Sequence, residues 1–351
     1  MVGSLAGGVK SIGAAKPVVD VDEVAMTYHE YDPYLLFRGI PHAEGVSDHF
    51  GRYRLNSLGF RSPQIGDKRR FRLAVVGGSA VWGSGASDNS TTFPAQIADL
   101  APERAGREIE AINAGCGSYV SFQELVLLAH KLVYLNLDAV LVFDGYNDVH
   151  LGARVPEEEF EANENENYRT LKDFLVRRTA SIDEEPIAVV RELRDAIGRL
   201  GRLGSRGSQP RPAHVGKPYA FNLKAIRAYL TNVEMMCDLL RGHGVEVLLA
   251  LQPYLPLSKK ALTAPEQEIL EAERQKPAKV EVVTAAFRML EEELARVAAA
   301  KGVSFRSFVG VFDDEDETCF YDMVHPNDHG YRKVAEVATE WLAERVPVVA
   351  A

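Results

Sequence analysis

Five short runs of the chain are apolar along their whole length, and each lies near a longer stretch with helical periodicity. Runs of this kind suit parallel strands that are covered on both faces, because an exposed face would introduce alternating polar residues. The predicted strands are 72–76, 109–113, 139–143, 245–251 and 303–308. Alternation of such strands with helices predicts a doubly wound α/β sheet.

Helix starts and apolar stripes give the other half of this pattern. Ser121 and Glu124 fit a capping box, with Ser121 at the N-cap and Glu124 reaching back to it. Leucines then recur at helical spacing. Further amphipathic helices are predicted over 222–241, 280–300 and 327–346.

Length and charge narrow the class of protein. The 351 residues suffice for one large α/β domain with insertions or for two small domains. No run of about 18 apolar residues occurs, so we expect no membrane-spanning helix. The formal net charge of −10 argues against nucleic acid or an anionic membrane as the main partner. Three cysteines without a CxxC pair are too few for a disulfide framework or a cysteine-based zinc site.

The first 16 residues are rich in Gly, Ala and Ser and lack the charged and apolar regions of a signal peptide. We expect a flexible leader there. The compartment stays open: cytoplasmic if residue 1 is the native start, and periplasmic or secreted if an upstream signal was removed.

Two segments interrupt the alternation of strands and helices. The first, 150–220, opens with an acidic run that we interpret as a solvated helix face, and it ends in the turn-rich stretch 201–218. The second, 253–277, is bounded by prolines. Both follow strand ends, where ligands bind in open α/β sheets, so either could wall a pocket. We expect 150–220 to shape that pocket or to mediate self-association, and to supply no catalytic residue.

Several familiar motifs are absent from the sequence. There is no P-loop, no dinucleotide-binding glycine motif, no GxSxG nucleophile elbow and no HExxH, and the nine histidines show no metal-ligand spacing. These absences count against a nucleotide-binding enzyme, a standard α/β-hydrolase and a zinc protease.

Polar residues instead follow the ends of successive predicted strands. Ser79 comes after two glycines, the segment 113–119 could offer backbone N–H groups to an anion, and Asn147 follows the third strand. Near the C-terminus, Asp322 and His325 are spaced so that a carboxylate can orient an imidazole. Taken singly, each block is more typical of an ordinary turn, cap or strand–helix junction.

In combination, these blocks resemble the SGNH hydrolase superfamily, also called the GDSL-like lipases and esterases. The resemblance covers 71–346, and the stretch 53–61 is similar to a leader found in many bacterial members. The matching residues are Gly77-Gly78-Ser79, Asn113 to Tyr119, Gly145-Tyr146-Asn147-Asp148 and Asp322-x-x-His325. The chain departs from the family where Gly78 replaces an aspartate, and where the usual oxyanion glycine falls on Ser118.

The resemblance implies a catalytic triad. Ser79 would be the nucleophile, His325 the general base, and Asp322 the residue that orients His325. No metal or organic cofactor is implied.

The resemblance also implies an oxyanion hole. Its donors would be the backbone N–H of Ser79, that of Gly117 or Ser118, and the side chain of Asn147. Asp148 would hold down the loop that carries Asn147.

The fold implied is a three-layer α/β/α flavodoxin-like sandwich with a mostly parallel five-stranded sheet. We expect 1–70 to be an N-terminal leader and extension that packs on the core, and 71–351 to be the hydrolase domain with the two insertions. The favoured function is an esterase or deacetylase acting on a small-to-medium acyl ester of a small molecule or carbohydrate. The alternatives are an O-acyltransferase with the same triad, and a non-catalytic binding or scaffold protein on the same fold.

Overall fold

A five-stranded, all-parallel sheet forms the centre of the protein in a computed structural model that describes residues 28–47, 49, 51–160, 219–276 and 278–346. Its strands are β5 (Phe71–Val76), β6 (Ile109–Asn113), β7 (Ala139–Asp144), β8 (Glu246–Leu251) and β9 (Ser304–Ser307). They lie in the order β6-β5-β7-β8-β9. This is the flavodoxin-like order, and the expected fold class is confirmed.

Helices cover both faces of the sheet. They are α1 (Ser79–Trp82), α2 (Phe93–Arg104), α3 (Ser121–His130), α4 (Tyr146–Gly152), α5 (Leu223–Gly242), α6 (Ala264–Arg274), α7 (Lys279–Lys301) and α8 (Asp328–Arg345). Helices α2 and α8 pack together in one layer, while α3 and α7 pack against α5 in the other. Since both faces are covered, every residue of β7 is buried, as its apolar run predicts.

The predicted strands match the observed ones to within one residue at each end, and so do the three helices placed after residue 220. The capping prediction at the start of α3 is wrong. Ser121 is the first helical residue, and the Gln123 side chain accepts a hydrogen bond from the Val120 N–H instead. Glu124 does not reach back, because its side chain turns into the interior, where it is fully buried.

The chain before β5 adds two antiparallel hairpins that the sequence pattern does not predict. They consist of β1 (His29–Asp32) with β2 (Leu36–Gly39), and β3 (Glu44–Ser47) with β4 (Gly51–Arg54). Apolar residues around the first hairpin join the main core, whereas Tyr28 and Tyr53 pack with Trp82 of α1 in a smaller cluster. This part of the chain therefore lies against the segment that follows β5.

Two of the segments considered in the sequence lie wholly or mostly outside the described residues. They are the leader 1–16 and most of the insertion 150–220, including all of its turn-rich stretch 201–218. The beginning of the acidic run, Glu157 to Glu159, forms an exposed helical turn, as its charge predicts. The segment 253–277 contains α6. No helix among the described residues is long and apolar enough to cross a membrane.

Candidate active site

Ser79 is the first residue of α1, directly after the carboxyl end of β5. The two residues before it are glycines because a side chain at either position would come too close to a neighbouring atom. A Cβ at Gly77 would collide with the carbonyl of Phe143, and a Cβ at Gly78 would lie 2.5 Å from Asn147 Nδ2. Gly78 thus permits the Asn147 side chain to approach the backbone beside Ser79.

A histidine and an aspartate complete a chain of short contacts with Ser79. The Ser79 Oγ lies 2.6 Å from His325 Nε2, and His325 Nδ1 lies 2.6 Å from Asp322 Oδ2. The other carboxylate oxygen, Oδ1, accepts hydrogen bonds from the backbone N–H groups of Val324 and His325, each at 2.9 Å. The carboxylate is therefore fixed in its orientation before any substrate is present.

The electrostatics around Asp322 keep this carboxylate ionised. Burial by itself would raise its pKa, but the neighbouring His325 and the two backbone hydrogen bonds outweigh burial and hold the pKa well below its usual range. An ionised carboxylate accepts the Nδ1–H and leaves Nε2 facing Ser79 as the basic nitrogen.

Asn147 stands at the second position of α4, after the carboxyl end of β7. Its Nδ2 donates to the carbonyl of Tyr119, 2.7 Å away, in the loop that follows β6. Strands β5 and β7 are neighbours, with β6 on the far side of β5. Ser79 and Asn147 thus flank the point at which the strand order reverses, where open α/β sheets bind ligands.

The two candidate backbone donors differ in conformation. Ser118 has a φ of 66°, in the left-handed region that glycine adopts without penalty. Gly117 approaches Tyr28 so closely that a Cβ at residue 117 would lie 2.5 Å from the phenolic oxygen. Burial raises the pKa of Tyr28 well above its usual value, and the Gly117 backbone beside the phenol opposes that rise.

Asp148 connects the Asn147 segment to the start of α3. Its carboxylate accepts hydrogen bonds from the backbone N–H of Ser121 at 3.0 Å and from the Ser121 hydroxyl at 2.6 Å. Burial raises the pKa of Asp148 to about 6. Behind it lie the fully buried carboxyl groups of Glu124 and Asp144, whose pKa values are raised well above the usual range, first by burial and then by neighbouring carboxylates.

A buried arginine from the chain before β5 supports the end of α1. The Arg61 guanidinium donates to the carbonyls of Gly83 and Arg52 and to Asn89 Oδ1, each at 3.0 Å. It also lies 4.5 Å from the ring centroid of Trp82. Residues 53–61 resemble a family leader, but that resemblance does not indicate the contacts of Arg61.

His49 is a site neighbour that the sequence pattern does not reveal. Its ring centroid lies 5.8 Å from that of His325 and 5.3 Å from that of Tyr321, edge-on in both cases. Burial, and then the charge of His325, lower the pKa of His49 to about 4. A lone histidine thirty residues before Ser79 has no spacing pattern that could have revealed this contact.

Metal-ligating residue types come together at Glu315, Cys319 and His329, whose ligand atoms lie within 4.8 Å of one another in the described part of the chain. Glu315 already binds Lys333 at 2.9 Å and His329 at 3.2 Å. The Cys319 thiol donates to the carbonyl of Glu317. Since these donors already have protein partners, we assign no ion to the cluster.

Comparison with solved structures gives matches at low sequence identity. A putative lipolytic protein of the G-D-S-L family from Desulfitobacterium hafniense is 13% identical, with 77% of this chain and 98% of that chain covered and a TM-score of 0.42. A lipase/acylhydrolase from Enterococcus faecalis is 14% identical over 80% of this chain and 99% of its own, also with a TM-score of 0.42. An acetyl-xylooligosaccharide esterase from Geobacillus is 11% identical over 82% of this chain and 100% of its own, with a TM-score of 0.41.

Sequence comparison supplies the family. No curated protein matches the chain. The model of the GDSL-like Lipase/Acylhydrolase family matches residues 75–333, which is most of the chain and includes Ser79, Asn147, Asp322 and His325. The resemblance noted in the sequence is thereby confirmed, and the chain belongs to the GDSL-like lipase/acylhydrolase family.

Proposed function

We propose that the protein is a serine-dependent ester hydrolase that acts through an acyl-enzyme on small-to-medium acyl esters. The observation that carries this proposal is the pair of 2.6 Å contacts that links Ser79 Oγ to His325 and His325 to Asp322. A hydroxyl beside a basic imidazole that a carboxylate orients is the arrangement that activates a serine nucleophile.

In the first half-reaction, Ser79 Oγ attacks the ester carbonyl carbon while His325 Nε2 takes the hydroxyl proton. When the tetrahedral intermediate collapses, the bond to the alcohol oxygen breaks and His325 gives its proton to that oxygen. Water then attacks the acyl-enzyme with His325 again as base, which releases the acid and restores the Ser79 hydroxyl. Asp322 stabilises the imidazolium that forms in each half.

The negative oxygen of the tetrahedral intermediate requires hydrogen-bond donors. We assign this role to the backbone N–H of Ser79, to the second N–H of the Asn147 side chain and to a backbone N–H from the loop after β6. The last donor is the N–H of Gly117 or that of Ser118, and Ser118 has the left-handed backbone conformation there. Asp148 would act by positioning, since it holds the helix of Asn147 to Ser121.

The domain assignment is part of the proposal. We take 71–351 as the hydrolase domain and 1–70 as an extension. The contacts of Arg61 and Tyr28 with the segment that carries Ser79 support an extension that serves the same site rather than a separate unit.

Activity-based labelling tests the proposal most directly. We expect a fluorophosphonate probe to label the parent protein at Ser79 and to leave Ser79→Ala unlabelled. The Ser79→Ala substitution should also lower ester turnover by about 10⁴–10⁶. An unlabelled, folded parent protein would favour the binding or scaffold alternative.

A screen of acyl chains and acceptors then separates the two enzymatic alternatives. A hydrolase transfers the acyl group mainly to water, so added alcohols or sugars should change the release of free acid little. An O-acyltransferase would instead form a new ester in proportion to the added acceptor.

A further inference from the structure

A buried ion pair connects the segment 253–277 with the loop that carries the triad histidine, 319–327, which we call the triad loop. Lys260 Nζ lies 2.6 Å from Glu266 Oε2, and both side chains are fully buried. Glu266 belongs to the first turn of α6. The Lys260 ammonium also donates to the carbonyl of Glu317 at 2.7 Å. The pair therefore joins α6 to the chain that leads into the triad loop.

The Glu266 carboxylate holds the base of that loop. Its Oε1 accepts hydrogen bonds from the backbone N–H groups of Cys319 at 2.9 Å and Phe320 at 3.3 Å. Its Oε2 accepts from the N–H and the hydroxyl of Thr263, each at 3.0 Å, as well as from Lys260. Burial alone would raise the pKa of Glu266, but Lys260 and these donors lower it, so the group stays ionised. Glu266 is thus a fixed link between α6 and the triad loop.

Backbone contacts extend this link to His325. The Cys319 carbonyl accepts from the Asn327 N–H at 2.9 Å, and Phe320 pairs with Pro326 in an antiparallel bridge. Pro326 and Asn327 directly follow His325 in the chain. A shift at the base of the triad loop would therefore move the imidazole relative to the serine.

A buried ion pair is a poor means of gaining stability alone. Desolvation of two charges offsets much of their attraction, and apolar side chains of similar volume often stabilise an interior equally well or better. Apolar side chains cannot, however, accept hydrogen bonds from backbone N–H groups in fixed directions. Glu266 does so for Cys319 and Phe320, so its specific contribution is to the geometry of the triad loop.

We propose that Glu266, held in place by Lys260, is a positioning residue that sets the distance between His325 and Ser79 through the base of the triad loop. This inference rests on the proposed ester hydrolysis and adds a residue outside the four motif blocks to the groups that support it. A misplacement of about 1 Å at a reacting group can cost about 100-fold in rate. Loss of the Glu266 acceptor should therefore lower kcat more than it changes KM.

Two uncharged double variants separate the hydrogen-bond acceptor from the charge. The glutamine variant, Lys260→Met with Glu266→Gln, keeps an amide oxygen for the two backbone N–H groups. The methionine variant, Lys260→Met with Glu266→Met, removes that acceptor. We expect the methionine variant to lose roughly 10- to 100-fold in kcat and in the rate of fluorophosphonate labelling, with a much smaller change in KM. The glutamine variant should stay close to the parent.

The matched control is Arg72→Met with Glu110→Met. This pair also joins a buried cation to a carboxylate, at 2.7 Å, and Arg72 also donates to backbone carbonyls. It lies near the amino ends of β5 and β6, whereas Ser79 follows the carboxyl end of β5. The control should lower the free energy of unfolding and leave kcat unchanged.

All rates are measured at a temperature at which urea unfolding shows the variants to be folded. If the methionine variant does not fold, Lys260→Met with Glu266→Asn makes the same test, because the shorter amide cannot reach both N–H groups. A folded methionine variant with the parent's kcat would overturn the inference and make Glu266 a purely structural residue. Equal losses of kcat in the glutamine and methionine variants would overturn it as well.

Labelling of the parent distinguishes this failure from failure of the proposed function. If the parent is labelled at Ser79, the proposed ester hydrolysis stands whatever the variants of Glu266 show. A parent that is neither labelled nor active on esters would remove both proposals.

Discussion

Asn147 Nδ2 donates a hydrogen bond to the carbonyl oxygen of Tyr119, 2.7 Å away, and so ties the segment after β7 to the loop after β6. A primary amide carries two N–H groups. The bond to Tyr119 uses one N–H and fixes the plane of the amide. The direction of the second N–H is then fixed as well. A donor that is oriented before the reaction costs no reorganisation when charge develops.

Asn147→Ala should therefore impair the chemical step more than substrate binding. We expect kcat to fall by roughly 10²–10³ with a smaller change in KM, because the lost donor acts on charge that develops in the transition state. Steady-state kinetics on one ester measures both constants. A rise in KM alone would show that Asn147 binds the ground-state substrate.

Gly78→Ala should reduce activity without unfolding the protein. The added Cβ would lie 2.5 Å from Asn147 Nδ2, which is the end of a side chain and can move aside. We expect kcat to fall toward the value of Asn147→Ala, while the melting temperature changes little. The double variant provides the check: if both changes act on the same amide, Gly78→Ala adds little to Asn147→Ala. Full additivity would contradict the shared cause.

The acid side of the pH–rate profile should report the protonation of the general base. Asp322 is held ionised and His49 stays neutral above a pKa of about 4, so His325 is the triad group whose proton uptake stops the reaction. We expect kcat/KM to fall as the pH is lowered, because a protonated imidazole cannot accept the Ser79 proton. A flat profile between about pH 5 and 9 would rule out a histidine base.

The buried carboxyl groups behind Asn147 should make stability depend on pH. Carboxyl groups of an unfolded chain ionise near pH 4. Burial, and then repulsion from neighbouring carboxylates, raises the pKa values of Glu124 and Asp144 in the folded state, so the folded protein holds more protons above that pH. The free energy of unfolding therefore falls as the pH rises from the unfolded pKa toward the folded one.

Replacing Glu124 by glutamine removes one of these titrating groups. Glu124→Gln should therefore lose less stability than the parent between about pH 5 and 8, measured by urea unfolding across that range. Asp322, whose pKa is lowered, contributes with the opposite sign, but that contribution is complete above its unfolded pKa and constant in this window. Glu108→Gln, at an exposed carboxylate, is the control and should keep the parent's slope. Equal slopes for parent and Glu124→Gln would disprove the assignment.

Arg61→Met should destabilise the protein substantially. The substitution leaves the buried Gly83 carbonyl and the partly buried Arg52 carbonyl without their donor. We expect a loss of about 2–4 kcal/mol in the free energy of unfolding. Arg70→Met removes a guanidinium that is 57% exposed and should cost less than about 0.5 kcal/mol. Similar losses in the two variants would refute the buried network.

The sheet could be predicted because its strands are buried on both faces. A strand such as β7 has no solvent face, so its sequence is apolar throughout and stands out locally. The two early hairpins could not be predicted in this way. Strands β3 and β4 are short and largely exposed, and their polar residues resemble those of loops.

The candidate site was predictable only where its residues follow strand ends or family motifs. Ser79, Asn147, Asp322 and His325 meet those conditions. The capping error at Ser121 has a physical cause: the Ser121 hydroxyl donates to Asp148, a long-range partner that local sequence does not reveal. His49 was missed for the same reason, since its contact with His325 depends on how the hairpins fold over the sheet.

The buried position of Arg61 has a consequence for how this protein can be divided. The family match begins at residue 75, yet Arg61 and Tyr28 lie before it and hold the turn of chain that carries Ser79. A shortened chain that starts at the shared boundary would keep all four motif residues and lose the guanidinium and the rings that support them. We therefore expect a chain that begins at residue 75 to be less stable around this site than the full chain, because these contacts would be lost.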